Sequence, residues 1–504
     1  MTSQSSQAVG RERDGLADSP YFLSAECFAI LAISVVANVA VPGVGALLAL
    51  ALLAALFHVA PARCLELIIV ALLFQNVIVA MSMNPNGSLE DVNVARATNF
   101  VICAGIWCLC SLYYLRDWRD FPPVAQAVML MTYLLIALIF CFFVYGYSTQ
   151  GAPAVIYLRN YLTPLFCLQV SVFLSFFSTS SRILWIGRLL LAYCFVEMAF
   201  GTSFLRLLSA DAYLAAGKDM LGNPASEVGE EFLVQLFNTP LLGDLGVVYR
   251  MNGPNLHPIS LGYALATFAL YCFARRRWAE MMLYLPALIL ASSKGALVYF
   301  AFTTLGITAA RKLTSSAVFF GIAGLATAYS VAVFLIGQQA GDFHILGLIG
   351  SVRAFLEMPL GSGLGAGGNL SMVVALADWQ QAQRLGYTEV AVESAIGVIL
   401  YQMGIAAAAV VAFYVWLAWL FWKRYMATDN QVVLFGSFAV LILLVNGLFQ
   451  EEALFAPLCM GLVLLLTGSE VNNKPADIDI GQRDFQWSIS PTPSFMTKPR
   501  PLRT

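Results

Sequence analysis

From residue 22 to residue 468 the chain is a succession of apolar windows, each close to the roughly 20 residues a helix needs to cross the hydrocarbon of a bilayer. Polar residues, prolines and glycines punctuate them. Taken as apolar runs between such breaks, the windows predict spans near 22–41, 43–59, 64–83, 97–114, 123–145, 155–177, 183–203, 257–274, 279–292, 294–310, 316–337, 393–422, 430–449 and 453–468. Composition agrees, because 60% of the 504 residues are hydrophobic and 11% are charged, too little polar surface to cover a water-soluble globule. The expected fold is an all-α, polytopic helical membrane protein of about 12–14 transmembrane helices, occupying residues 22–468.

The flanks differ from this body. Residues 1–21 are polar and precede a full-length span rather than a short apolar core with a small-residue cleavage site, so no cleaved signal is expected. Residues 469–504, ending "SPTPSFMTKPRPLRT", have the composition of a disordered tail. All ten cysteines fall in or beside apolar segments without CxxC or Cys/His zinc spacing, so they read as packing residues and neither a disulfide nor a metal is expected.

Lysine and arginine are distributed asymmetrically. With both tails inside, only eight of the 27 basic residues fall outside: Arg96, Arg159, Arg206, Lys218, Arg250, Lys294, Arg353 and Arg384. Such a bias orients helical membrane proteins with the basic loops in the cytoplasm. It leaves two long external loops, 204–256 and 338–392, each too large for a tight turn. Within the second, "DWQQAQRLGYTEVAVE" reads as a short surface helix.

External cations beside apolar sequence need a counter-charge, since an unpaired guanidinium there is expensive. Arg159 lies about a turn from the outer end of its span, in "AVIYLRNYLTPLF". Arg250 stands ahead of "MNGPNLHPISLG", and Arg353 ahead of "AFLEMPLGSGLGAGGN". Lys294 falls between two short spans. A bound anion, a headgroup reached by snorkelling, or Glu357, Glu389, Glu451 and Glu452 can each satisfy such groups. Glycines such as Gly363 and Gly365 allow backbone amides to approach an oxyanion. "GLGAGG" matches GxGxxG literally, but it lies in a loop of a helical membrane protein rather than in a βαβ unit, and no GxxxxGK[ST] exists, so a nucleotide is not expected. Among the acid–base groups, His257 serves either helix capping or substrate contact, and Glu393 heads the helix "ESAIGVILYQMGIAAA", where the dipole favours its ionised form.

Between residues 245 and 410 these segments resemble the O-antigen ligase and polysaccharide polymerase (Wzy-type) family of bacterial membrane glycosyltransferases. Arg250 with "GPNLHPISLGYALA" is similar to the family's arginine and His-Pro helix; "LASSKGALVYF" is similar to its Ser-Arg-Gly segment, with Lys294 in the arginine position; "MPLGSGLGAGGN" is similar to its Pro-Leu-Gly-x-Gly loop. The resemblance implies a metal-independent, inverting glycosyltransferase without a cofactor. It implies a site at the periplasmic face of the bacterial inner membrane, acting on undecaprenyl-pyrophosphate-linked oligosaccharide. Arg250 and Arg353 would hold the diphosphate as catalytic groups. Arg159, His257, Lys294, Gly363 and Gly365 would bind substrate, and Glu393 would accept the proton from the attacking hydroxyl. Ligases of the family carry histidine at the head of the closing helix where this chain has Glu393, which favours a polymerase over a ligase; a transporter of lipid-linked sugars is the reading from another class. Partners implied are the lipid-linked glycan, the bilayer, and a chain-length regulator or export protein, with no nucleic acid.

Overall fold

The computed structural model describes residues 20–83, 95–175, 180–219, 233–235, 247–313, 315–371 and 379–472. The two tails read from the sequence lie outside these, apart from residues 20–21 and 469–472. The chain is an all-α bundle. Among the described residues seven helices come first: α1 (Pro20–Ala40), α2 (Val44–Val59), α3 (Arg63–Ser82), α4 (Thr98–Asp117), α5 (Pro123–Gln150), α6 (Ala152–Leu174) and α7 (Ser180–Phe200). The first long loop holds α8 (Thr202–Leu207), α9 (Ala210–Asp219) and two short antiparallel strands, β1 (Leu233–Gln235) and β2 (Val247–Tyr249). The bundle resumes with α10 (Pro258–Ala274), α11 (Trp278–Leu290), α12 (Lys294–Lys312) and α13 (Ser316–Ala340). The second loop holds α14 (Phe343–Glu357), the glycine-rich run and α15 (Trp379–Leu385), the surface helix expected there. Helices α16 (Ala395–Met403), α17 (Ala407–Thr428), α18 (Gln431–Asn446), α19 (Glu452–Phe455) and α20 (Leu462–Thr467) close the chain.

Among the described residues six helical stretches are long and apolar enough to cross a membrane: Arg63–Ser82, Thr98–Asp120, Pro123–Gln150, Arg182–Phe200, Ser316–Ala340 and Ala395–Thr428; shorter apolar helices fill the bundle between them. Burial sorts them into layers. In α3, 83% of the most apolar window is buried, against 28% in α5 and 22% in α13, so the first is central and the others face lipid. Leu130, Leu134, Phe140 and Val144 on α5, and Phe320, Val331 and Ile336 on α13, present large exposed apolar side chains that only a hydrocarbon environment accommodates. Helix α10 is buried at every residue from Ser260 to Ala274.

Two expected spans are interrupted. The 393–422 span breaks at Gly404–Ala406, a 3₁₀ turn between α16 and α17. The 453–468 span begins with the single turn of α19, after which Pro457, having no N–H to donate, starts a wider turn through Gly461. That irregular backbone lies beside a cavity, the setting in which a bilayer protein tolerates it.

Arginine–carboxylate pairs mark one end of the bundle. Arg63 meets Glu26 at 2.5 Å, Arg188 and Arg277 meet Glu280 at 2.8 and 2.6 Å, Arg182 lies 4.0 Å from Glu66, and Arg275 lies 3.7 Å from Glu470. The two long loops, with the 447–456 turn, occupy the opposite end.

Candidate functional site

A cavity of about 410 Å³ opens at the loop-bearing end, within the range of small-ligand sites. Segments far apart in sequence build it. Helix α3 supplies Asn76; Arg96 lies two residues before α4 and Asn99 in its first turn; α6 supplies Arg159, Asn160 and Thr163. Tyr213 comes from α9, Asn255 and His257 from the turn before α10, Asn369 from the end of the glycine-rich run, and Glu451 and Glu452 from the start of α19.

The cations here are not neutralised in the way the opposite end's are. Arg159 is half-buried, and its guanidinium makes no hydrogen bond or ion pair among the described residues. Arg96 donates from Nε to the Tyr213 hydroxyl at 2.9 Å, with its Cζ 4.2 Å over the same ring, and has no carboxylate partner among the described residues. Arg250 does not line the cavity, but it stands within electrostatic reach of His257 and Glu452, which do; among the described residues its guanidinium hydrogen-bonds from Nε to the Ala291 carbonyl at 3.4 Å. Beside Arg159, Asn160 is 7% exposed, and its amide has no hydrogen-bond partner among the described residues.

Acidic groups form a second cluster. The Glu451 carboxyl accepts from the Tyr157 hydroxyl at 2.5 Å and from the Asn369 N–H at 2.8 Å, and burial pushes it up to about 8. Glu452 is half-buried; burial and then Glu393 raise it, while a hydrogen bond from its own N–H, and then His344 and Arg250, pull it down. Glu393 stands behind this pair. Its N–H donates to Asn369 Oδ1 at 3.0 Å, and its carboxylate lies 3.5 Å from His344 Nδ1. Ser394, not Glu393, caps α16 by accepting from the Gly397 N–H at 3.0 Å.

Two turns that carry the site are strained. Leu256, next to His257, has φ +52° and Glu393 has φ +62°, a region costing a residue with a side chain about 1–3 kcal/mol. The first turn is fixed by Glu197 of α7, a fully buried residue that accepts from the Tyr249 hydroxyl at 2.6 Å and from the Asn252 and Gly253 N–H groups at 2.7 and 2.8 Å. His257 caps α10, its Nδ1 accepting from the Ser260 N–H at 3.3 Å, while the ring also lines the cavity.

The structure therefore brings Arg159 and His257 into one cavity, with Arg250 and Glu393 next to it. It does not bring the other expected residues there. Arg353 is exposed, its Cζ 3.9 Å over the Tyr387 ring. Lys294 is exposed at the first position of α12. Gly363 and Gly365 serve packing instead of an anion cradle. A Cβ on Gly363 would stand 2.7 Å from the Gly146 Cα, and one on Gly365 would stand 2.5 Å from the Ala154 N, so their bare backbones (φ +87° and +85°) seat the loop against α5 and α6.

The sequence reading did not single out Arg96, Tyr213, Asn160, Asn369, Glu451 or Glu452 as site residues. Two of them carried a signal: Arg96 is an external cation like those chosen, and Glu451–Glu452 is an acidic pair between two apolar runs. The chain matches no protein-family model, no curated protein and no solved structure.

Proposed function

We propose that this chain is a polymerase of the inner bacterial membrane that joins undecaprenyl-pyrophosphate-linked oligosaccharide repeat units at the periplasmic face. The observation that carries the reading is Arg159, a half-buried guanidinium that shares the cavity with Arg96 and makes no ion pair among the described residues. Holding such a charge uncompensated costs free energy, and an anionic ligand with several oxygens supplies what is missing. A diphosphate has that chemistry, and a cavity walled by Asn76, Asn99, Asn160, Asn255 and Asn369 suits the hydroxyls of the sugar attached to it.

In this reading Arg96 and Arg159, with Arg250 beside them, bind the diphosphate and stabilise the charge that grows on it as the glycosidic carbon–oxygen bond breaks. The attacking sugar hydroxyl gives up its proton to a nearby carboxylate. The resemblance stated above led to Arg353 as a second diphosphate ligand; its position on Tyr387 favours giving that role to Arg96.

The test uses purified protein in lipid vesicles with undecaprenyl-pyrophosphate-linked repeat unit as both donor and acceptor. A ladder of longer lipid-linked chains is expected from the native protein and none from Arg159→Gln or Arg96→Gln. Extension that requires a separate acceptor would identify a ligase, and redistribution between leaflets without extension would identify a transporter. A full ladder from Arg159→Gln would overturn the assignment.

A further inference from the structure

We infer that Glu452, rather than Glu393, is the carboxylate that takes the proton from the attacking hydroxyl. The inference rests on the glycosyl-transfer reading and adds the identity of its base. Three carboxylates stand within electrostatic reach of one another at this end of the bundle, Glu393, Glu451 and Glu452. Their surroundings give them different capacities.

Glu451 is fully engaged, since one oxygen accepts from Tyr157 and the other from the Asn369 N–H. It fastens the end of the glycine-rich run to α6. Glu393 is turned to His344, and only its backbone reaches the cavity wall, through Asn369. Glu452 lines the cavity itself, is half-buried, and its carboxyl bonds to no residue but its own main-chain N–H among the described residues. A base must reach the proton it removes, and of the three only Glu452 combines a place in the wall with a carboxylate not already committed.

Arg96, Arg159 and Glu452 line one cavity, so a diphosphate held by the two arginines shares that space with the Glu452 carboxyl, and the sugar attached to it is placed where the carboxyl can serve. Asn160, buried and unpartnered in the same wall, independently marks this space as one built to meet a polar ligand. The step then balances. The acceptor O–H proton passes to the Glu452 carboxylate while that oxygen bonds to the anomeric carbon. The bond from that carbon to the diphosphate oxygen breaks, and its electron pair leaves with the diphosphate. Glu451 acts as a positioning residue, because its carboxyl holds the Asn369 N–H; Glu393 reaches Asn369 through its main-chain N–H alone.

The experiment compares Glu452→Gln, Glu393→Gln and native protein in vesicles, measuring chain extension of undecaprenyl-pyrophosphate-linked repeat unit and, separately, binding of undecaprenyl pyrophosphate alone. Glu452→Gln should lower kcat by about 10²–10⁴-fold, the range a positioned base contributes. It should change binding of undecaprenyl pyrophosphate by less than twofold, and Glu452→Asp should recover part of the rate. Glu393→Gln should lose less than Glu452→Gln. Extension by Glu452→Gln at the native rate overturns the inference while leaving the glycosyl-transfer reading intact. Native protein that binds the lipid but never extends it overturns both. Loss of binding in Glu452→Gln, with native-like unfolding in detergent, also overturns it, because that result would make Glu452 a substrate ligand instead of a base.

Discussion

Replacing Arg159 by Met should make the protein more stable and less active. The side chain sits seven residues into α6, about 10 Å along the helix axis from its start, half-buried, with no hydrogen bond or ion pair among the described residues. An arginine at the centre of a spanning helix costs about 2.5–3.5 kcal/mol on insertion scales, and one nearer the end costs less. Met keeps an unbranched chain of similar reach while removing the charge, so a gain of about 1–3 kcal/mol is expected. If the guanidinium makes two charge-assisted bonds to a diphosphate, each of about 1.5–3 kcal/mol, the same change costs about 10²–10⁴-fold in affinity for the lipid diphosphate. The measurements are reversible unfolding in one detergent and titration with undecaprenyl pyrophosphate. Arg182→Met supplies the contrast. Its partner Glu66 is 3% exposed, and a buried carboxylate stripped of its cation costs about 3–5 kcal/mol, so that variant should be destabilised. Should Arg159→Met prove less stable than native protein by about 1 kcal/mol or more, on the scale of a net intramolecular hydrogen bond, the residue is a structural tie and the argument for an anion site fails.

Two further outcomes follow from the same geometry. Because burial raises the Glu451 carboxyl to about 8, the folded state holds a proton that the unfolded chain releases near the ordinary carboxyl value. That contribution is present at low pH and is lost as pH rises through about 8, so stability should fall between about pH 5 and pH 8 by up to 1.4 kcal/mol per unit, and Glu451→Gln should remove the slope; an unchanged slope in the variant would refute this. Gly365→Ala should cost about 2–5 kcal/mol in unfolding experiments, combining a left-handed backbone (φ +85°) with a Cβ only 2.5 Å from the Ala154 N, and a loss under about 0.5 kcal/mol would show that the loop is not seated there.

Membrane architecture was readable from the sequence because the bilayer imposes one length on every span. The expected 64–83 and 97–114 correspond to α3 (Arg63–Ser82) and α4 (Thr98–Asp117), and the short 279–292 segment corresponds to α11 (Trp278–Leu290). The breaks at Gly404–Ala406 and Pro457 are local departures inside apolar runs that hydropathy does not resolve. The site was only half readable. Arg159 stood out because a cation in an apolar run is costly wherever the chain folds. Arg96 and Glu452 acquire their place from packing between segments more than 350 residues apart, and no local pattern encodes it. Glycines 363 and 365 show the reverse error, since a bare backbone fits an oxyanion and a helix end equally well, and the neighbours decide which.

The Glu197 tie has a practical consequence for the first long loop. Downstream, Tyr249, Asn252 and Gly253 are moored to α7; upstream, Tyr213 is clasped by Arg96. The stretch from residue 220 to residue 246 is thus bracketed on both sides by fixed points. An insertion between residues 220 and 232, ahead of β1, should leave the cavity walls in register, making it the natural place for an epitope tag.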